Sequence, residues 1–286
     1  MKTAFLNMSA RQSQVIRNSK TLLGLMSVSV VTSALLVPVV ANATPITLTG
    51  TVRDFNSYNT TYNGVAGHSD FEHYLGDDRG IVQTTLGADG RPVYDAGNSN
   101  PTVTSAASFY QWYHDDPSVN MTGTFDITLN QITPTTYQFS SNSFFPIDGQ
   151  LLGQTTIGHN FGFTTEFHTM FTYNTANNDT FAFTGDDDVF VFINNQLAID
   201  LGGVHGAESN SVDLNLIASN FGLTDGQDYK LDVFQAERHT SGSNFTMTTS
   251  LQLETAPSGN VPEPASLALL ATGLLGIRFS RRTQRS

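Results

Sequence analysis

An antiparallel β-sandwich is the fold class predicted for this chain, and three observations predict it. Thr, Phe, Tyr, Val and Ile are abundant across residues 44 to 257, which hold a single lysine. Short runs of strand character recur along that span, with Gly, Asn, Asp and Ser punctuating them. Many short strands with turns at this spacing indicate a sandwich or a barrel. The chain also has no cysteine. No disulfide can staple it, so a hydrophobic core must carry its stability.

The elements follow in order. Strand character, alternating or apolar, marks Ile46–Arg53, Gly123–Leu129, Thr136–Phe139, His168–Tyr173 and Asp179–Phe183. It continues in Val189–Ile193, Gln196–Leu201, Ser211–Asn215, Asp228–Gln235 and Asn244–Leu253. Turn pairs such as Asn194-Asn195 and Asp225-Gly226 separate them, because these residues tolerate the left-handed backbone of tight turns. A short helix is expected at Leu216–Asn220. Residues Asn56 to Pro101 are rich in Gly, Asp and Asn and lack a period, which reads as a long irregular insertion within one domain. No internal repeat is present, and residues 256–260 (APSGN) read as a linker.

Both ends carry transport chemistry. Lys2, Arg11, Arg17 and Lys20 precede an apolar run from Leu22 to Val40, closed by Ala41-Asn42-Ala43. That order is expected of a secretory signal helix over 1–43, cut by signal peptidase after Ala43. At the other end, Pro262-Glu263-Pro264 leads into the apolar stretch Ala265 to Ile277, and Arg278, Arg281, Arg282 and Arg285 follow. The stretch is shorter than the ~20 residues of a stable span, and its arginines resist translocation. It reads as a hydrophobic sorting helix in 258–286, making a transient transmembrane contact with the inner membrane. Triplet, apolar run and arginine cluster in this order resemble the PEP-CTERM sorting signal. The resemblance implies processing near Pro262–Pro264 by an exosortase-type protease and delivery to the envelope surface, extracellular matrix or biofilm matrix.

Between the signals, 44–257 carries five basic residues (Arg53, Arg79, Arg91, Lys230, Arg238) against 24 acidic ones, a net charge of −19. Such a surface repels nucleic acid and anionic lipid. It suits hard divalent cations, whose ligands are carboxylates and carbonyls. The most distinctive run is Phe183 to Gly206, FTGDDDVFVFINNQLAIDLGGVHG. Three consecutive aspartates, Asp186, Asp187 and Asp188, enter an otherwise apolar strand. Strands disfavour Asp and adjacent like charges repel. The run is explained either by a bound cation or by a charged turn capping the strand.

Several ordered blocks resemble the fibro-slime domain, within the broader β-sandwich group named after the anthrax protective antigen. They are Thr49–Phe55, His68–Glu72, Thr85–Tyr94, Phe109–Met121, Phe144–Gly153, His159–Tyr173, Gly185–Gly206 and Phe234–Leu251. The wider group includes adhesins that bind sugars through Ca²⁺ held by two aspartates across a cis peptide. The resemblance implies that pair at Asp186-Asp187. Asp188 stands where sugar-binding relatives often have glycine. It implies further ligands from an Asn and a late loop, for which Asn244 and Thr240–Ser243 are candidates. Asp200, Gly202-Gly203 and His205 offer other oxygens and turns. The metal set is therefore Asp186, Asp187, Asp188 and Asn244, and the carbohydrate set is Asp186, Asp187, Arg238, His239 and Asn244.

Other features favour structural roles. Trp112, Tyr110, Tyr113 and Phe109 read as core before sugar stacking, and Asp115-Asp116 as a turn before Pro117. His159, Glu166 and His168 lack a close zinc spacing. His205 and His239 orient loops more readily than they ligate Ca²⁺. Glu237 and Arg238 are adjacent on a strand, so they point to opposite faces and should have separate partners. Nucleophile-elbow, Walker and Rossmann motifs are absent, and no acid pair stands out. The expectation is a non-enzyme: an exported cell-surface or exopolysaccharide-matrix protein with a calcium-dependent carbohydrate-binding module and a polysaccharide or glycan partner. A structural matrix protein without sugar binding is the alternative, and a secreted polysaccharide hydrolase ranks last.

Overall fold

The computed structural model describes residues 44–153 and 158–254. The secretory segment ending at Ala43 and the sorting residues Pro262, Glu263, Pro264, Arg281 and Arg282 lie outside the described residues.

The first strand, β1 (Ile46–Phe55), is followed by the insertion. The insertion holds three two-residue strands, β2 (Thr61–Tyr62), β3 (Val65–Ala66) and β4 (Gly76–Asp77), and helix α1 (Ala106–Trp112). Then come β5 (Asn120–Thr133), β6 (Thr136–Ser141), β7 (Phe163–Thr172), β8 (Thr180–Gly185), β9 (Asp188–Ile193), β10 (Gln196–Leu201), β11 (Gly203–Val204) and β12 (Glu208–Asp213). Helix α2 (Leu214–Phe221), β13 (Asp228–Glu237), β14 (Phe245–Thr249) and β15 (Gln252–Leu253) complete the order.

The main sheet runs β10-β9-β13-β7-β1-β5-β6-β14-β8-β12, and every pairing along it is antiparallel. Its 14-residue strand β5 serves both halves. Residues 120–129 pair with β1 and residues 130–133 with β6. The sheet thus folds over on itself at β5, and the two halves sandwich one core. Ile46, Leu48 and Val52 of β1, Phe167 and Phe171 of β7, and Val189, Val191 and Ile193 of β9 face Phe181, Phe183, Phe245 and Met247 of the other half.

A second apolar cluster explains why β9 is apolar at every position from Val189 to Ile193. Successive strand residues point to opposite faces. Val189, Val191 and Ile193 enter the main core, while Phe190 and Phe192 enter a second cluster with Phe234 and Ala236 of β13. The insertion supplies the rest of that cluster: Phe71, Ile81, Val82, Val103, Phe109, Trp112 and Tyr113. Residues 56–119 therefore cover the outer face of the β9–β13 layer. Trp112 is fully buried, so it is core. Helix α1, absent from the sequence reading, starts at a Ser105–Ser108 capping box. That box satisfies backbone donors at a helix start. Helix α2 encloses the expected Leu216–Asn220 turn; Asp213 caps its start and Gly222 ends it in the left-handed region, at φ 68°.

The DLGGVHG turn serves this cover as well. Gly203 sits at φ 116°, and a Cβ there would lie 2.4 Å from the Asp78 nitrogen and 2.5 Å from the Gly76 carbonyl oxygen. The carbonyl of Gly202 accepts from Asp78 N–H at 2.9 Å. Both Asp200 carboxylate oxygens accept backbone N–H groups, from Gly80 and Gly202. These residues join the insertion to β10. Among the described residues, no helix is long and apolar enough to cross a membrane.

Candidate functional site

Asp186 and Asp187 lie between β8 and β9 and Asp188 opens β9, and strand alternation sorts them. Asp188 shares the parity of Phe190 and Phe192, so it faces the insertion. Asp187 shares the parity of Val189 and faces the other way. The same logic splits β13: Arg238 follows Phe234 and Ala236 outward, and Glu237 follows Leu231 and Val233 inward. The register sets Ala236 opposite Asp188, which carries Glu237 to Asp187. All five side chains are buried: Asp186 at 5% exposure, Asp187 at 4%, and Asp188, Glu237 and Arg238 at 0%.

On the outward side the charges are matched. Arg238 grips Asp188 with Nε to Oδ2 at 2.6 Å and Nη2 to Oδ1 at 3.0 Å. It also donates to the Thr102 carbonyl at 2.7 Å and to the Thr102 hydroxyl at 3.1 Å. Its guanidinium carbon lies 4.5 Å over the Trp112 ring, a favourable cation–π placement. Asp188 accepts one more bond, from Gly203 N–H at 2.7 Å. One expectation changes here, that for Arg238. Asp188 gives both oxygens to Arg238 and Gly203 and so anchors the insertion, on the face opposite Asp187 and Glu237. Arg238 is enclosed, so it has no surface to offer a glycan. Sequence alone hid this because the partners, Asp188, Thr102 and Trp112, are 50 to 136 residues away.

On the inward side the charges are unmatched. The Asp186–Asp187 peptide bond is cis. Asp186 accepts from the Asn244 backbone N–H and, at 2.8 Å, from the Asn244 amide. Asp187 Oδ2 accepts from the Arg238 N–H at 2.7 Å. Neither oxygen of Glu237 has a hydrogen-bond partner. The Ser243 hydroxyl and the His239 N–H are near it, but the hydroxyl is spent on the Phe144 carbonyl at 2.7 Å. Burial pushes the Asp187 and Glu237 carboxyls well above the usual carboxylate range. Arg238 opposes this at Asp187, while the neighbouring acids reinforce it at both.

The loop from His239 to Asn244 closes over these acids. A Cβ on Gly242 would lie 3.4 Å from Asp186 Oδ2. Asn244, a candidate ligand in the sequence, directs both of its N–H groups at Asp186 and so orients that carboxylate. His239 stays at the rim, 29% exposed, with Nδ1 at 3.0 Å from the Thr240 carbonyl and Nε2 at 3.6 Å from Glu72 Oε2. Glu72, from the insertion, also accepts from Thr240 N–H at 2.7 Å. Sequence reading missed Glu237 as a member of the acidic group. The available signal was an acid ending the apolar run VFQAE, but only the β9–β13 register reveals its neighbour.

Among the described residues, no three His, Asp or Glu side chains already stand gathered as a metal cage. Buried carboxylates without a hydrogen bond are nonetheless costly. Of these three neighbouring acids Glu237 alone has no hydrogen bond, and it stands beside Asp186 and Asp187. Calcium takes six to eight oxygens, from carboxylates, carbonyls and water. The other acid–imidazole groups are separate: His168 Nδ1 lies 2.7 Å from Asp232, and His159 Nδ1 2.6 Å from Asp148. Asp116 caps its own turn through Ser118.

Comparison with known proteins gives two matches within the chain. A PA14 domain matches residues 152–263, and a PEP-CTERM protein-sorting motif matches residues 260–282. Protein psiD of Dictyostelium discoideum is 43% identical over 200 residues, 64% of this chain and 38% of that protein. Protein psiR of the same organism is 42% identical over 193 residues, 62% of this chain and 19% of the relative. The chain thus spans well under half the length of these relatives. Among solved structures, the Epithelial Adhesin 9 A domain from Candida glabrata in complex with Galb1-4GlcNAc covers 77% of this chain, with 96% of its own length aligned, at 12% identity and TM-score 0.32. The PA14 sugar-binding domain from RTX adhesin covers 72%, with 91% of its own length aligned, at 9% identity and TM-score 0.29. The narrower fibro-slime resemblance rests on the sequence blocks alone. The stretch that matches the PA14 domain holds the DDD run and Glu237, and the matched sorting motif indicates export to the cell envelope or surface.

Proposed function

We propose that residues 44–257 form one exported, non-catalytic module that binds carbohydrate through a calcium ion held by Asp186, Asp187 and Glu237. The observation that carries this reading is Glu237: a fully buried carboxylate with two unpartnered oxygens beside Asp186 and Asp187. Asn244 orients Asp186, and carbonyls of the 239–244 loop are near enough in sequence to complete a ligand set. A bound calcium supplies a positive centre with positions open to neighbouring sugar hydroxyls. The side chains of this chain hold the loop in place, and His239 at the rim is a candidate donor to a sugar.

Calorimetry with CaCl₂ on the exported protein tests the metal. One binding event is expected, abolished in Asp187→Ala and retained in Asp116→Ala. A glycan array read in calcium and in EDTA tests the sugar. Calcium-dependent hits support the reading. No hits together with a calcium-dependent melting temperature would leave a structural matrix module whose ion only fixes the loop, a role consistent with the structural use of Asp188. The glycan proposal fails on that outcome, and the metal proposal fails if calcium gives no heat.

A further inference from the structure

The outer face of the β7–β13 pair carries a second polar site beyond the insertion's apolar cluster. A cavity of about 340 Å³ opens there, lined by the Asp89–Arg91 turn, His168, Lys230 and Asp232. Strand alternation accounts for its contents. Phe167, Phe171, Leu231 and Val233 point into the core, so Glu166, His168, Lys230 and Asp232 point out. Of the five basic residues in 44–257, three gather here. Arg53 and Arg91 approach the buried Glu166 at 3.2 and 3.3 Å, and Lys230 stands on the cavity wall.

The local acids already have partners. Glu166 has the two arginines, Asp232 has His168 at 2.7 Å, and Asp89 has His114 at 2.7 Å. The Lys230 ammonium has no ion pair or hydrogen bond among the described residues, which leaves one positive charge uncompensated in a strongly acidic domain. Acceptors are left over too. Glu166 Oε2 and Asp232 Oδ2 are buried without a hydrogen bond, as is the donor Arg91 Nε. His168 Nε2 is 3.9 Å from Glu166 Oε2, too far to satisfy it.

We propose that this cavity binds an acidic sugar, a uronic acid unit of a polysaccharide, with its carboxylate on Lys230 and Arg91 and a hydroxyl donating to Asp232, the acid on the cavity wall. A bare phosphate or sulfate satisfies the cations but brings no donor to the free Asp232 oxygen, and a neutral sugar leaves Lys230 unmatched. A hydroxylated carboxylate answers both. The volume is at the lower end of the roughly 300–1,000 Å³ of small-ligand sites, which suits a single ring. His168 supports the positive character of the wall. Burial disfavours its charge, but the hydrogen bond with Asp232 and the attraction of Asp232 and Glu166 win, raising its pKa to about 9.

The test is titration of the exported protein, in EDTA, with an oligogalacturonide and with the same oligomer after carboxyl reduction. Binding of the acidic oligomer is expected, weakened at least tenfold by carboxyl reduction and at least tenfold by Lys230→Glu. It should weaken with added salt. Lys230 is exposed, so Lys230→Glu should keep the wild-type melting temperature; Lys230→Gln replaces it if folding suffers. Absence of binding, equal affinity for acidic and reduced oligomers, or full affinity in the lysine variants overturns the proposal. Failure of the calcium site alone leaves it standing, because this titration contains no free calcium.

Discussion

Replacing Arg238 by Met removes the cation that ties the insertion to the sandwich while keeping most of the side-chain volume. The loss comprises two charged hydrogen bonds to Asp188, at 2.6 and 3.0 Å, two bonds to Thr102, and the ring contact with Trp112. Asp188, at 0% exposure, is left as a buried charge. Removing one partner of a buried pair costs about 3–5 kcal/mol. For a domain of this size, each kcal/mol shifts the midpoint by about 2–4 °C, so the variant should melt about 6–20 °C below wild type. Urea unfolding gives the free energy directly. A double-mutant cycle with Asp188→Asn isolates the pair, and the double variant should be more stable than the sum of the two single losses predicts, by at least about 2 kcal/mol. A single loss below about 1 kcal/mol, or an additive cycle, refutes the claim that Asp188 belongs to the anchor.

Three further outcomes follow from the same geometry. His168 has its pKa raised to about 9. Its contribution is present below the unfolded value near 6.5 and is lost as pH rises through about 9; the stability difference between wild type and His168→Gln should shrink across that window in pH-dependent urea melts. Gly203→Ala should destabilise by more than about 1 kcal/mol, because φ is 116° and the Cβ meets Gly76 and Asp78 backbone; unfolding midpoints check it. Calcium at 100 times its dissociation constant should stabilise the fold by about 2.7 kcal/mol. The melting-temperature gain should be larger at pH 7 than at pH 5, because protons compete for Asp187 and Glu237, whose carboxyls are pushed up.

Most of the sheet was legible because its strands carry their burial in their spelling. Residues 46–51 alternate, and residues 189–193 are apolar throughout because two cores sandwich them. The start of β7 was not legible: Thr164, Thr165 and Glu166 are polar yet buried, since the threonine hydroxyls donate to Trp112 and Gln235 and two arginines pair with Glu166 Oε1. Helix α1 was hidden in an aromatic run that periodicity does not separate from a strand. At the candidate site, the sequence placed Asp186 and Asp187 but could not separate Asp188 from them. Three neighbours in a row look equivalent until a strand assigns them to faces. Glu237 was missed for the same reason in reverse, since its neighbours come from another strand.

The most direct measurement is a calcium titration of wild type beside Glu237→Gln. Gln keeps the shape and removes the charge that has no other partner. A single calcium event in wild type, weakened at least tenfold in the variant, is the predicted result. Wild type that takes up no calcium, or a variant that binds it as tightly, contradicts the assignment of this buried acid to a metal.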